Sequence, residues 1–333
     1  MNCNKRIEFF DVAKAILIIM VVLGHTIRLV EEAGGGYDIT YAEKFINSFH
    51  MPAFFIITGV LFNEQKWKEA SWSSFLLSRF KTLIIPYLFF EIIDSTLQVF
   101  VYKIGIEGFK ECLMRMLTVN CNSGPDWFLI AIFIGEVLFL LVQKYMSKSF
   151  GIILQITCLI ISIALPDNHF CIVIGRALIA FVIIMAGNQL RFVFCCAENY
   201  KWKNIIIAFL ITLGISYVNG TVNVSHCELG FVVFFLISSI SGTFLVLGVS
   251  IKVHNDFLLF LGMNTLTIMG IHQRILYLIP RYLPMCRSII WIFLDMIIVF
   301  LIAIPFICIV NEFMPFFVGK KYRSNRLKKN MLN

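Results

Sequence analysis

Lys14 and His25 stand eleven residues apart in the run DVAKAILIIMVVLGHT, two ionisable side chains set into an otherwise apolar segment. On an α-helix, eleven steps of about 100° make roughly three full turns, so both share one face and lie roughly 16 Å apart along the axis. A neutral imidazole can take a proton from an alcohol or carry a transferred group itself. An ionisable residue within an apolar span is a functional-site hypothesis in its own right. A histidine that merely packs against a neighbouring helix would look the same in sequence. Asp11 is too far from His25 to orient it, and its i, i+3 spacing from Lys14 predicts a local ion pair.

Other constellations carry related chemistry. In SRFKTLIIPY, Arg79 and Lys81 precede Pro86. They read either as a positive-inside signal or as a site for phosphate, which guanidinium and ammonium groups hold well. In FHMPAFFIITGVLF, His50 and Pro52 lead into a Thr58-Gly59 step, where glycine permits close helix approach or a break. In GPDWFL, Asp126 and Trp127 can bind a sugar through hydroxyl hydrogen bonds and ring stacking, although an interfacial Trp is equally an aromatic anchor. Glu136 and Arg176 lie inside apolar spans and each needs a partner, the other being one choice. In LLFLGMNTLTIMGIHQRIL, Asn264 and His272 fall within roughly 80° of each other on a helix. The ten cysteines form no CxxC pair and no metal-ligand spacing, so no metal site is expected. Cys112, Cys121, Cys227 and Cys286 fall in or near expected outer loops where pairing is chemically open. Asn219-Gly-Thr and Asn223-Val-Ser match the glycosylation sequon, a triplet that also arises by chance.

The elements that must position these residues are apolar helices. Of the 333 residues, 59% are hydrophobic and only 14% charged, with mean hydropathy +0.86. Soluble domains average about 25% charged, so the chain is expected to be an all-α, polytopic membrane helix bundle. Ten apolar stretches stand out: 12–30, 49–63, 83–102, 127–143, 150–166, 171–190, 204–219, 229–250, 257–279 and 288–312. The formal charge of +8 sits at segment ends and in the tail, a topology signal that excludes a nucleic-acid reading. Counting Lys and Arg places both termini in the cytoplasm, which about ten spans require. Residues 1–333 are expected to form one membrane domain, with 1–11 and the basic tail 319–333 cytoplasmic. No small-residue cleavage site follows the first apolar run, which is read as a retained helix.

In order and spacing these segments resemble the acyltransferase-3 family of integral membrane acyltransferases, which includes bacterial polysaccharide O-acetyltransferases. Lys14 and His25 are similar to its Arg/Lys-x10-His opening. FFIITGVLF resembles its Ser-Gly-x-x-Leu step, with Thr58 in place of Ser. SRFKTLIIPY resembles its basic motif before a proline, GPDWFL its Trp-Phe-Leu segment, and LGMNTLTIMGIHQ the late segment of its fucose-acetylase-like branch. The resemblance implies acyl transfer, usually of acetyl, from cytoplasmic acyl-CoA to a carbohydrate hydroxyl of the cell envelope. Acyl-CoA is then a donor substrate, and no permanently bound cofactor is implied.

Together, residues and resemblance give a set of expectations. His25 is catalytic. Lys14, Arg79 and Lys81 hold the donor, whose pantetheine arm is comparable in length with the gap from Lys14 to His25. Thr58 and Asn264 stabilise the oxyanion, Asp126, Trp127 and His272 bind the acceptor, and Asp11, Glu136 and Arg176 are charge partners. The protein is expected in a bacterial inner or plasma membrane, in contact with the lipid bilayer and with glycan-assembly proteins. A proton-coupled transporter or glycan exporter with buried ionisable groups is the alternative, though the paired halves common in transporters are not detected.

Overall fold

The computed structural model describes residues 3–32, 40–120, 124–253, 255–283 and 289–320. Sixteen α-helices account for most of them: α1 (Cys3–Glu32), α2 (Thr40–Asn47), α3 (His50–Leu61), α4 (Glu64–Glu69), α5 (Trp72–Arg79), α6 (Ile85–Tyr102), α7 (Gly105–Leu117), α8 (Trp127–Tyr145), α9 (Lys148–Ala164), α10 (His169–Gln189), α11 (Arg191–Cys195), α12 (Trp202–Val218), α13 (Val232–Lys252), α14 (Asp256–Gly262), α15 (Thr265–Tyr282) and α16 (Ile289–Phe313). No strand occurs among the described residues, only an isolated antiparallel bridge between Asn223 and Glu228. The protein is a polytopic all-α membrane protein.

Among the described residues, seven helical stretches are long and apolar enough to cross a bilayer: Glu8–Glu32, Tyr41–Leu61, Trp72–Tyr102, Trp127–Tyr145, His169–Gln189, Val232–Lys252 and Ile289–Phe313. The other three expected stretches are helical too. Two are the 17-residue helices α9 and α12, somewhat short for a bilayer core of about 30 Å. The third is broken at Met263-Asn264 into α14 and α15. Apolar side chains on α9, α12 and α16 face outward, among them Ile156, Ile160, Leu210, Phe293, Ile297 and Leu301. Surfaces of that kind suit lipid rather than water.

Local chemistry explains two irregularities beside the site. Pro86 has no N–H to offer the carbonyl four residues back, and its ring crowds that carbonyl. The chain responds with a π-helical turn over Phe80–Ile84, where the Ile85 N–H reaches the Phe80 carbonyl. That turn carries the helix α5–α6 across without a break. The second is the crossing of α3 and α10. A Cβ on Gly59 would collide with the Ile184 carbonyl, and one on Gly187 with the Ile56 carbonyl. Two bare backbones therefore meet there, which resolves the Thr58-Gly59 step as close helix approach. Gly262 does the same for α14, where a Cβ would strike the Asp11 carbonyl of α1.

Candidate functional site

One helix, α1, runs unbroken through both Lys14 and His25. The face they share borders a cavity of about 620 Å³. From Lys14 to Arg28 the cavity follows α1 for about 21 Å. Its walls come from α1, α3, the α5–α6 junction, α8, α15 and the chain between α12 and α13. Residues separated by hundreds of positions thus converge: Thr58, Arg79, Trp127, Glu136, Ser225 and Gln273 all line it. Between the ends the lining is mostly apolar, with Ile18, Val21, Met51, Phe54, Ile57 and Met269.

His25 is partly buried on this wall. Its ring lies 5.2 Å, centroid to centroid, from the ring of His272, tilted by 50°. His272 is fully buried behind it and is not part of the cavity wall. Its Nδ1 donates to the carbonyls of Met269 (2.8 Å) and Ile268 (3.1 Å). The acceptor contact expected of His272 is therefore corrected to a contact with His25. Thr58 lines the cavity, but its hydroxyl donates to the Phe54 carbonyl at 2.9 Å, so its proton is engaged within α3.

At the Lys14 end the cations are paired. Lys14 meets Asp11 at 2.6 Å, the local pair that the spacing predicts. Arg79 Nε meets Glu136 at 2.8 Å, with Glu136 buried and Arg79 about one-fifth exposed. Three aromatic rings, of Trp67, Phe75 and Phe62, surround the guanidinium at 5.5–5.9 Å. The pair engages Nε, and the remaining four N–H groups of the guanidinium sit on the terminal nitrogens. Glu136 thus takes Arg79 as partner rather than Arg176. Lys81, in the π-helical turn, is exposed and stands off the cavity wall.

At the other end Arg28 pairs with Glu43 of α2 (2.6 Å), and Asn47 donates to the same carboxylate oxygen at 3.2 Å. His50 lines this end, with Nδ1 donating to the Ile46 carbonyl at 2.8 Å. The segment 222–226 between α12 and α13 closes the wall. There the Ser225 hydroxyl donates to Asn223 Oδ1 at 2.6 Å, and His226 Nδ1 lies 3.0 Å from both Asn223 Nδ2 and Ser225 Oγ. Asn219 anchors the segment by donating to the Leu229 carbonyl and accepting from the Phe231 N–H. Trp127 lines the cavity with Arg176 5.1 Å from its ring centre, and Arg176 Nε donates to the Ser225 carbonyl at 2.5 Å. Arg176 therefore ties Trp127 to this segment.

Two further expectations are corrected by placement. Asp126 does not border the cavity: it is fully buried and bonded to Arg274 at 2.6 Å. Arg274 also faces Asp94 at 3.5 Å and donates to the Phe90 carbonyl, so this cluster locks α6, α8 and α15 together. Asn264 is likewise off the wall, held by Phe260, Asn311 and Lys320. Burial of the Lys320 ammonium lowers its pKa. Neither side chain is placed to meet a group beside His25.

The residues that sequence reasoning missed are Asn223, Ser225, His226 and Gln273. The two Asn-x-Ser/Thr triplets at 219–225 marked the segment as polar, but nothing in them announced a cavity wall. Cys112 donates to Gln98 and Cys227 to the Ile172 carbonyl, and neither is paired with the other. Cys121 and Cys286 lie outside the described residues. No cluster of three or more potential metal ligands occurs among the described residues.

A family model described as an acyltransferase domain, acyltransferase-3, matches residues 7–312. Two curated proteins are similar over part of the chain. The nodulation protein NolL of Mesorhizobium japonicum is 29% identical over 151 residues, covering 45% of this chain and 39% of that protein. The nodulation protein NolL of Sinorhizobium fredii is 30% identical over 171 residues, covering 49% and 45% respectively. The chain thus spans less than half the length of the curated relatives it matches. No solved structure matches it.

Proposed function

The chain belongs to the acyltransferase-3 family, and from that premise we propose that it moves an acetyl group from cytoplasmic acetyl-CoA to a hydroxyl of a cell-envelope carbohydrate. The observation that carries this reading is the single cavity with Lys14 and Arg79 at one end, His25 along its wall and a polar segment at the other. Phosphates of the donor sit at the Lys14 end, where the terminal nitrogens of Arg79 and the ammonium of Lys14 receive them. The extended arm lies along the apolar wall and brings the thioester to His25.

The acceptor enters at the Arg28 end, past Trp127 and the side chains of Asn223, Ser225 and His226, groups suited to hydroxyls. His25 acts as general base. It takes the proton of the acceptor hydroxyl as that oxygen attacks the thioester carbonyl. The new C–O bond forms, the C–S bond breaks, and the proton passes from His25 to the departing thiolate. Atoms balance to an ester and free CoA. The largely apolar wall keeps bulk water from competing for the thioester.

The same reading places the protein in a bacterial inner membrane with the Lys14 end toward the cytoplasm, where acyl-CoA is made, and makes glycan-assembly proteins its neighbours. The decisive experiment is His25→Ala in membranes supplied with radiolabelled acetyl-CoA and their own glycan. Transfer is expected to fall by at least 100-fold, in the range that a general base contributes. A variant that inserts normally and still labels the glycan overturns the reading.

A further inference from the structure

We propose that His272 is a positioning residue for His25, fixing which nitrogen of the reactive imidazole faces the cavity. This rests on the reading of His25 as the base and adds a second histidine to it. Three observations meet here. The two rings are 5.2 Å apart between centroids. At that separation a rotation that turns one nitrogen of each ring toward the other would bring them to about 3 Å, within hydrogen-bond reach. His272 is fully buried and off the cavity wall, so its only route to the chemistry is through His25.

The third observation fixes the proton. Nδ1 of His272 points at two backbone carbonyls, of Ile268 and Met269, which can only accept. Nδ1 therefore carries the N–H. In the neutral ring the other nitrogen, Nε2, then holds a lone pair, and it is buried without a hydrogen-bond partner. A buried acceptor left unmet is destabilising. The nearest ring able to meet it is His25, whose N–H would donate to Nε2.

The consequence for the reaction is a defined proton inventory. His25 holds one proton toward His272 throughout, so its other nitrogen faces the cavity with a free lone pair. That nitrogen takes the proton of the acceptor hydroxyl and returns it to the thiolate. His272 neither gains nor loses a proton. It plays toward His25 the part that an orienting hydrogen-bond acceptor plays toward a catalytic imidazole. The helix turn at Ile268–Met269 is what holds His272 in that tautomer.

The test uses full-length protein in membranes with radiolabelled acetyl-CoA and endogenous glycan, comparing His272→Phe with His272→Gln. Phenylalanine fills the space but accepts no hydrogen bond, whereas the glutamine amide oxygen restores an acceptor. The expected result is a split: kcat falls at least tenfold in His272→Phe, KM for acetyl-CoA stays within twofold, and His272→Gln recovers several-fold of the loss. Thermal stability in detergent is measured alongside. If His272→Phe fails to fold, the kcat and KM of His272→Gln against wild type decide: a kcat loss of two- to tenfold at constant KM supports the role, and a rise in KM alone overturns it. Wild-type kcat in a folded His272→Phe, or no recovery in a folded His272→Gln, also overturns it. Activity surviving in His25→Ala would instead defeat the assignment of the base, a separate failure.

Discussion

At the scale of the residue, the pairing of Arg79 with Glu136 shapes the end of the cavity that the proposed function assigns to the donor. The carboxylate is buried and holds the guanidinium by Nε at the cavity wall. Arg79→Gln removes the charge and the fork of donors. On the proposed function, KM for acetyl-CoA rises about tenfold, equivalent to roughly 1.4 kcal/mol, while kcat changes less than threefold. Steady-state kinetics at fixed glycan check this; a collapse of kcat at unchanged KM would place Arg79 in the chemistry instead. The shared face of Lys14 and His25 was legible from spacing because helix periodicity is intrinsic to one segment. The partner of Glu136 was not, since Arg176 and Arg79 are equally plausible until helices are placed. Asp126 misled for the same reason: a carboxylate next to a cavity-lining Trp belongs to an arginine more than a hundred residues downstream.

Among the elements, the α3–α10 crossing holds in place the helix that carries Thr58 on the cavity wall. With backbone carbonyls in the way of any side chain at Gly59 or Gly187, neither helix can yield locally. Gly59→Val is expected to cost at least about 1–3 kcal/mol, the range for overpacking, and to lower the detergent melting temperature together with activity. A Gly59→Val protein with the wild-type melting curve would contradict that geometry. Hydropathy marked ten apolar stretches, all of them helical, and among the described residues seven helical stretches are long and apolar enough to cross a bilayer. It did not reveal that the ninth is broken at Met263-Asn264. The segment 222–226 has neither period nor hydropathy, and its place in the wall follows only from the anchoring by Asn219 and Arg176.

Over the whole molecule, the cavity faces two ends, and the proposed orientation assigns them to opposite sides of the membrane. Cysteines introduced at Leu61 and at Ser225, one on each end of the wall, are expected to react with a membrane-impermeant maleimide from opposite sides in inside-out and right-side-out vesicles. Labelling of both from one side would defeat the orientation. The native Cys227 interferes little at pH 7, because burial pushes its thiol up to about 11 and the thiolate is the reactive form. Its labelling rises only as pH climbs toward that value. The middle of the cavity has one more consequence. Apart from the imidazoles, the ionisable side chains of its wall stand at the ends: Lys14, Arg79 and Glu136 at one, Arg28 at the other. Ile18, Val21, Phe54 and Ile57 lie between. A hydrated ion entering from either compartment would have to shed its water against hydrocarbon. On the proposed function, the same wall that would accommodate an acyl arm would also hold back ions, so a thioester could reach His25 without an ionic leak through the bilayer.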